Sequence, residues 1–289
     1  MEGIAAHHFV RTARGENTYC SCVDASFEEM SWHRDELESG LIGGKKIVIV
    51  MPAYNASKTL GMTYDELPKE FVDEVLLVDD GSTDNTFETA RHLGITTLRH
   101  DKNRGYGANQ KTCYKAALSM DADIIVMLHP DYQYSPRLIP AIVALLAYGP
   151  YDVVLGSRVL AGGALRGGMP LYKYVFNRLL TLLQNLAWRT KLSEFHTGLR
   201  GFRRNVLERV NFEDNSDDFV FDNQILAQVL WYGYSIGEVS CPVLYLPHSS
   251  SITLTRGLTY GLGVLRTTFE LMCARAGIYT PDYLRLART

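Results

Sequence analysis

Two adjacent carboxylates, Asp79 and Asp80, stand in the run Val78-Asp-Asp-Gly-Ser-Thr-Asp84, directly after an apolar stretch. Ionised carboxylates only accept hydrogen bonds, so such a pair, with Gly81 making the turn, can take the ring N–H of a base and the hydroxyls of a ribose. Three more polar segments follow apolar stretches: Met51-Pro-Ala-Tyr-Asn55, Asn103-Arg-Gly-Tyr-Gly-Ala108 and Leu128-His-Pro-Asp131. Pro52 and Asn55, with Tyr54 between them, would shape a loop under a nucleoside. Gly105 and Gly107 carry no side chains and would let backbone approach a ligand. Lys111, one helical turn on, could reach a phosphate or stand solvated. Farther along, Gly156-Ser-Arg158 and Thr197-Gly-Leu-Arg-Gly-Phe-Arg203 supply Arg158, Arg200 and Arg203, whose guanidinium groups suit a phosphate through bidentate hydrogen bonds. Surface ion pairing is the plain alternative for Arg203 and Arg204.

These groups need elements to position them. From Lys45 onward, short β-branched runs alternate with amphipathic segments, the pattern of βαβ units and a mainly parallel sheet. Strands are expected at Lys46–Met51, Glu74–Val78, Thr96–Arg99, Ile124–Leu128 and Val153–Leu155, with helices starting near Ser57, Thr83, Gly107 and Pro136. Each of the first four polar segments then ends or follows a strand, where open α/β sheets bind their ligands. Residues 1–44 read as an extension ending in Gly40-Leu-Ile-Gly-Gly44, residues 45–255 as the α/β domain, and 256–289 as a C-terminal helical segment. Residues 170–190 are apolar but broken by Lys173, Asn177, Arg178, Gln184 and Arg189. They suit either a lipid-surface helix or one packed on the sheet or on the partner of a homodimer.

Other nucleotide folds fit poorly. The turn after the first strand, Pro52-Ala-Tyr-Asn55, has no glycine for a dinucleotide pyrophosphate, and Gln110 stands where the third glycine after Gly105 and Gly107 would fall. A Walker loop fails because Gly44-Lys45 precedes the strand and the upstream glycine position is Ser39.

Taken together, in this order and spacing, the four segments resemble the donor half of family 2 glycosyltransferases, and the resemblance runs from about Lys45 to Ile252. It implies a GT-A α/β fold, an activated sugar donor, UDP- or GDP-linked, and transfer with inversion at the anomeric carbon. The family usually carries Asp-x-Asp where this chain has His129-Pro-Asp131. Asp131 is therefore the implied ligand of a divalent cation that neutralises the departing diphosphate. His129 is a second ligand, which would favour Mn²⁺ over Mg²⁺, or a hydrogen-bonding group. The Gly-Ser-Arg and Thr197–Arg203 segments are similar to those of the polyprenyl-phosphate glycosyltransferases, the branch that includes dolichol-phosphate mannose synthase. Arg158, Arg200 and Arg203 would then clamp a lipid phosphate. In members acting on hydroxyls, a carboxylate base is needed, and Asp222 in Phe219-Val-Phe-Asp222 is the first candidate, ahead of Asp218; helix capping competes for both. A binding protein with little turnover is the rival reading, since His129 breaks the metal motif.

Composition agrees with an α/β enzyme. The 289 residues are 46% hydrophobic, enough for a large core. A net charge of −3 argues against general nucleic-acid binding. Five cysteines without a CxxC pair suit a reducing compartment. No leader-like start is read, nor any apolar run of ~18 residues. The expectation is a cytoplasmic protein, peripheral on the cytoplasmic face of a membrane if its acceptor is a lipid.

Overall fold

The computed structural model describes residues 42–243 and 254–286; readings placed on residues 1–41, and the part of the α/β-domain reading that runs through residues 244–253, fall outside these. Among the described residues seven strands form one sheet: β1 Ile47–Ala53, β2 Glu74–Asp79, β3 Thr96–Arg99, β4 Ile124–Met127, β5 Val153–Ser157, β6 Arg200–Arg203 and β7 Ile236–Ser240, in the order β3-β2-β1-β4-β6-β5-β7. β6 runs antiparallel to both its neighbours, and the other pairs are parallel.

All seven residues of β1, Ile-Val-Ile-Val-Met-Pro-Ala, are buried. A strand covered on both faces has to be apolar throughout rather than alternating. The two-residue period splits it between two cores: Val48 and Val50 pack with Tyr114 and Phe221, whereas Ile47, Ile49 and Met51 pack with Leu60 and Ile142.

Among the described residues the α-helices of six residues or more are α1 Leu60–Asp65, α2 Thr86–His92, α3 Tyr106–Ser119, α4 Ile139–Ala147, α5 Leu171–Trp188, α6 Arg204–Arg209, α7 Phe221–Trp231 and α8 Leu254–Arg275, with a four-residue helix, Gly163–Arg166, between α4 and α5. Residues of α1, α2 and α4 contribute to one core, and residues of α3, α5, α6, α7 and α8 to the other. Pro136 opens a 3₁₀ turn that leads into α4. Among the described residues no helix is long and apolar enough to cross a membrane.

The five expected strands are present. β1 runs on to Ala53 because its last two residues pair with Val78 and Asp79. β6 and β7 are additions. Arg200–Arg203, read in the sequence as part of a phosphate-binding segment, is an inner strand between β4 and β5. It fits there because α4 crosses it closely at Gly201: a Cβ at that position would lie 2.5 Å from Ile142 Cγ2 and 2.7 Å from Leu146 Cδ1.

Gly201→Val should therefore destabilise the fold by about 1–3 kcal/mol or more, the usual cost of overpacking a core. Urea denaturation measures it, and an unshifted midpoint would contradict this close approach of α4 to β6.

Candidate active site

The neighbours β2, β1 and β4 place Asp79-Asp80, Tyr54-Asn55 and His129-Asp131 along one carboxyl rim. Arg158 follows β5 at the same rim, and the reversed β6 begins there with Arg200, opposite Met127 and Leu155. Asn55 takes a left-handed conformation, φ 52°, which asparagine tolerates better than most residues. Its N–H donates to Ser82 Oγ (2.8 Å), and its Oδ1 accepts from Thr83 N (3.0 Å). Asn109 donates to the carbonyls of Ala53 (3.3 Å) and Val78 (3.0 Å), so the ends of β1 and β2 are held together. Pro52 is buried within β1, and Tyr54 is exposed.

The two carboxylates after β2 have different work. Asp80 is buried and fully engaged: Oδ1 takes His100 Nδ1 (2.6 Å) and Arg104 N (2.9 Å), and Oδ2 takes Gly105 N (3.0 Å). It anchors the loop that enters α3. Asp79 is also buried; its Oδ1 accepts from Ser82 N (3.2 Å). Its Oδ2 lies 3.2 Å from Arg99 Nε but out of line, and has no hydrogen-bond partner.

Gly105 and Gly107 do admit a close approach, and what approaches is the chain itself. A Cβ on Gly105 would stand 2.5 Å from Asp217 O, and one on Gly107 2.3 Å from Ser216 O. Gly105 also has φ 108°, a backbone state glycine adopts at little cost. Gly81, φ 67°, packs likewise against Lys102. Lys111 donates to Asn215 O (2.6 Å) and pairs with Asp217 Oδ1 (2.7 Å), so it secures this same segment.

The His129-Pro-Asp131 turn is fixed on several sides. Thr63 Oγ1 donates to Pro130 O (3.3 Å), and Tyr132 Oη to Glu66 Oε1 (2.6 Å). Asp131 Oδ1 accepts from Gln133 N (3.1 Å). His129 Nε2 lies 3.0 Å from Tyr106 Oη, and that hydroxyl lies 2.8 Å from Asp222 Oδ2. Gln110 Nε2 donates to the other oxygen of Asp222 (3.0 Å). A carboxylate can only accept, so the Tyr106 proton points to Asp222 and the phenol oxygen accepts from His129 Nε2–H. This hydrogen bond engages Nε2 and not Nδ1. Burial and the neighbouring Asp222 charge push the Tyr106 hydroxyl well above its usual range, which keeps that proton in place. Among the described residues no three His, Cys, Asp or Glu side chains converge as a metal cage.

The arginines divide sharply. Arg158 donates through Nε to Glu194 Oε1 (2.9 Å) and through its backbone N to Oε2 (2.9 Å), and it also bonds His196 O. Glu194 is fully buried; burial alone would raise its pKa, but the Arg158 charge and hydrogen bonds, with Asn177, hold it below the usual range. Arg200 is fully buried, donating to the carbonyls of Thr197 (2.8 Å), Asp222 (2.7 Å) and Phe195 (3.2 Å), 3.5 Å from Asp222 Oδ2. Arg203 is not with them. It pairs with Ile124 at the start of β4, the opposite end of the sheet, and donates to Leu146 O (2.7 Å) and Gly149 O (2.8 Å) at the end of α4. The sequence-based clamp of three arginines is thus corrected to Arg158 at the rim and Arg200 buried behind it.

The model of glycosyl transferase family 2 matches residues 48–210. The chain belongs to that family. An uncharacterised protein of Methanocaldococcus jannaschii is 30% identical over 73% of this chain and 86% of its own. A UDP-N-acetylglucosamine–dolichyl-phosphate N-acetylglucosaminyltransferase of Methanococcus voltae is 25% identical over 81% of this chain and 97% of its own. The glucosyl-3-phosphoglycerate synthase of Mycobacterium tuberculosis, solved with Mn²⁺, UDP and phosphoglyceric acid, superposes with a TM-score of 0.62 at 19% identity, covering 87% and 86% of the two chains. The fold of this family 2 transferase is GT-A, as the resemblance implied.

Several groups at its rim escape a reading of sequence alone. Tyr106, Gln110 and Tyr114 share one face of α3, spaced four residues apart, and form a chain from Tyr114 Oη through Gln110 (3.1 Å) to Asp222. That spacing was the available signal. His100 and His196 gave none, because their partners lie far along the chain. His196 Nδ1 lies 2.8 Å from Tyr260 Oη on α8, while its Nε2 is enclosed without a partner.

Burial lowers the His196 pKa from 6.5 to about 4, outweighing the opposing charge of Glu194. The unfolded chain takes up this proton at higher pH than the folded one, so the contribution is intact above about 6.5 and is lost as pH falls toward about 4. Urea midpoints across this window should fall less steeply in His196→Gln than in the wild type. Identical pH dependence in the two proteins would rule this out.

Proposed function

We propose that this family 2 transferase moves a sugar, with inversion, from a UDP- or GDP-linked donor to a polyprenyl phosphate, in peripheral contact with a membrane. The state of Asp222 carries the reading. Both its oxygens accept hydrogen bonds, from Tyr106 and Gln110, and Arg200 stands beside it, so it is poorly placed to take a proton from an attacking hydroxyl. A phosphate acceptor is already ionised at neutral pH and needs only positioning and charge neutralisation. The N-acetylglucosaminyltransferase relative is named for a dolichyl-phosphate acceptor, which agrees.

On the donor side, Oδ2 of Asp79, ion-paired with Arg99 but without a hydrogen bond, is an acceptor suited to a base N–H or a ribose hydroxyl, and Asp80 holds the loop beside it. Asp131 and His129 fit a divalent cation in the sense that Mg²⁺ or Mn²⁺ takes one or two protein ligands and fills the rest from phosphates. Asp131 offers a hard oxygen, and the neutral Nε2–H tautomer of His129 would offer a lone pair on Nδ1. When bound there, the cation supplies charge neutralisation to the leaving diphosphate. Asp222 and Tyr106 fix the orientation of His129. Arg158, splinted by Glu194, presents the cation for the acceptor phosphate.

UDP-, GDP- and dTDP-sugars, each with and without a short polyprenyl phosphate, should show one donor whose nucleotide release depends on the lipid. Release that ignores the lipid would exclude this acceptor. Asp131→Ala should abolish turnover while the melting curve survives, and a chelator should do the same to the wild type; full activity in either condition would remove the metal from the mechanism.

Tyr106→Phe should cut activity by about 10- to 100-fold, the usual loss when the partner of a metal-ligating histidine is removed. The metal concentration needed for half-activity should rise as well. Unchanged metal dependence would assign Tyr106 a purely structural role.

A further inference from the structure

Water-facing helices normally bury their apolar stripe and expose their polar one. α5 does the reverse. Three of its five buried positions, Asn177, Thr181 and Gln184 beside Leu180 and Trp188, are polar, whereas Leu171, Val175, Leu179, Leu182 and Leu186 are exposed. α8 shares the apolar outer stripe. Thr267, Thr268 and Glu270 face inward beside Val264, Leu271 and Ala274, and Leu258, Leu262, Leu265, Phe269 and Met272 form an exposed stripe at helical spacing.

The two stripes join into one surface. A Cβ on Gly261 would stand 3.0 Å from the ring of Phe176, Trp188 Nε1 donates to Thr268 O (3.3 Å), and Arg275 donates to Trp188 O (2.7 Å). The helices therefore lie side by side and run the same way.

Charge distinguishes what covers such a surface. Residues 160–191 contain Arg166, Lys173, Arg178, Arg189 and Lys191 and no acidic residue. Residues 254–279 contain Arg256, Arg266 and Arg275 against one acid, Glu270, which is buried and bonded to Arg266 (2.8 Å). Together these stretches carry +7 in a chain of net −3, so the remainder carries −10. A second copy docked through the same face would set like charge against like. An anionic bilayer offers both an apolar interior and the opposite charge at its surface.

We propose that the joint face of α5 and α8 docks this chain on an anionic lipid bilayer. The inference deepens the lipid-phosphate reading and rests on it for the orientation of the site. α5 reaches the acceptor side through Asn177, which donates to Glu194 (2.8 Å), and α8 through Tyr260, which bonds His196. A lipid whose tail lies in the membrane under these helices would bring its phosphate to Arg158.

The test is flotation of the full chain with vesicles of phosphatidylcholine containing about 30% phosphatidylglycerol, compared with phosphatidylcholine alone. Leu262 is 69% exposed and Phe269 66% exposed, so L262E combined with F269E should leave the melting curve unchanged. The wild type should float with the anionic vesicles and remain behind with the neutral ones. Raising salt from about 0.1 M to about 1 M, which shrinks the Debye length from about 10 Å to about 3 Å, should release it. The double variant should float at least about tenfold less, as buried apolar area sets much of such binding. A wild type that fails to float, a variant that floats equally well, or a dimer that the variant splits would each overturn the proposal. Turnover of a short, water-soluble polyprenyl phosphate is read on the same preparations. Its absence alongside intact flotation would count against the acceptor reading and leave the docking surface standing.

Discussion

A guanidinium closed off from water must find acceptors within the protein, because an unpaired buried charge costs several kcal/mol. Arg200 finds them in the carbonyls of Phe195, Thr197 and Asp222 and in the Asp222 carboxylate. Satisfying it pulls the start of β6, the loop before it and the first turn of α7 onto one point. Asp222 is then positioned for Tyr106, and Tyr106 for His129. The hydrogen bonding of a rim histidine thus traces back to a cation that lies behind the rim. The same requirement orders the neighbouring pair, where Glu194 lies buried with its charge matched by Arg158 and a further hydrogen bond from Asn177.

The donor half of this arrangement was legible in sequence, and the reason is local. Strands covered on both faces must be runs of Ile, Val, Leu and Met, so β1, β2 and β4 announced themselves, and polar motifs that follow such strands fall at the carboxyl rim. β6 gave no comparable signal. Its four residues include one large apolar side chain, Phe202, between charged ends, and it is a strand because β4 and β5 pair with it on both sides. Had it been recognised, Arg200 and Arg203 could not have been joined in one clamp, since residues three apart on a strand point to opposite faces and lie ~10 Å apart.

Partner identity is what residue type conceals. Glycines at 105 and 107 signal that something comes close, and the visitor proves to be Ser216 and Asp217. A lysine a turn beyond a glycine loop suggests phosphate, yet Lys111 spends its charge on Asp217. Asp79 and Asp80 look alike in a sequence; in the fold Asp80 is saturated by His100 and two backbone N–H groups while Asp79 retains an oxygen without a hydrogen bond. Contacts between positions twenty to more than a hundred residues apart decide each case, and no local pattern encodes them.

Helices α5 and α8 extend this logic from the site to its surroundings. Interior polar groups on α5 are tolerable where they have work to do: Asn177 splints Glu194, and so holds Arg158. Having turned polar groups inward for that purpose, the helix presents leucines outward, and α8, with Tyr260 directed at His196, also carries an apolar outer stripe. The apolar face is thus geometrically tied to the acceptor side of the rim, because both depend on which stripe of each helix faces the sheet. A rotation of α5 by half a turn would hide its leucines and would also remove Asn177 from Glu194. Under the proposed reading, contact with the bilayer and the posture of Arg158 are two consequences of one helix orientation.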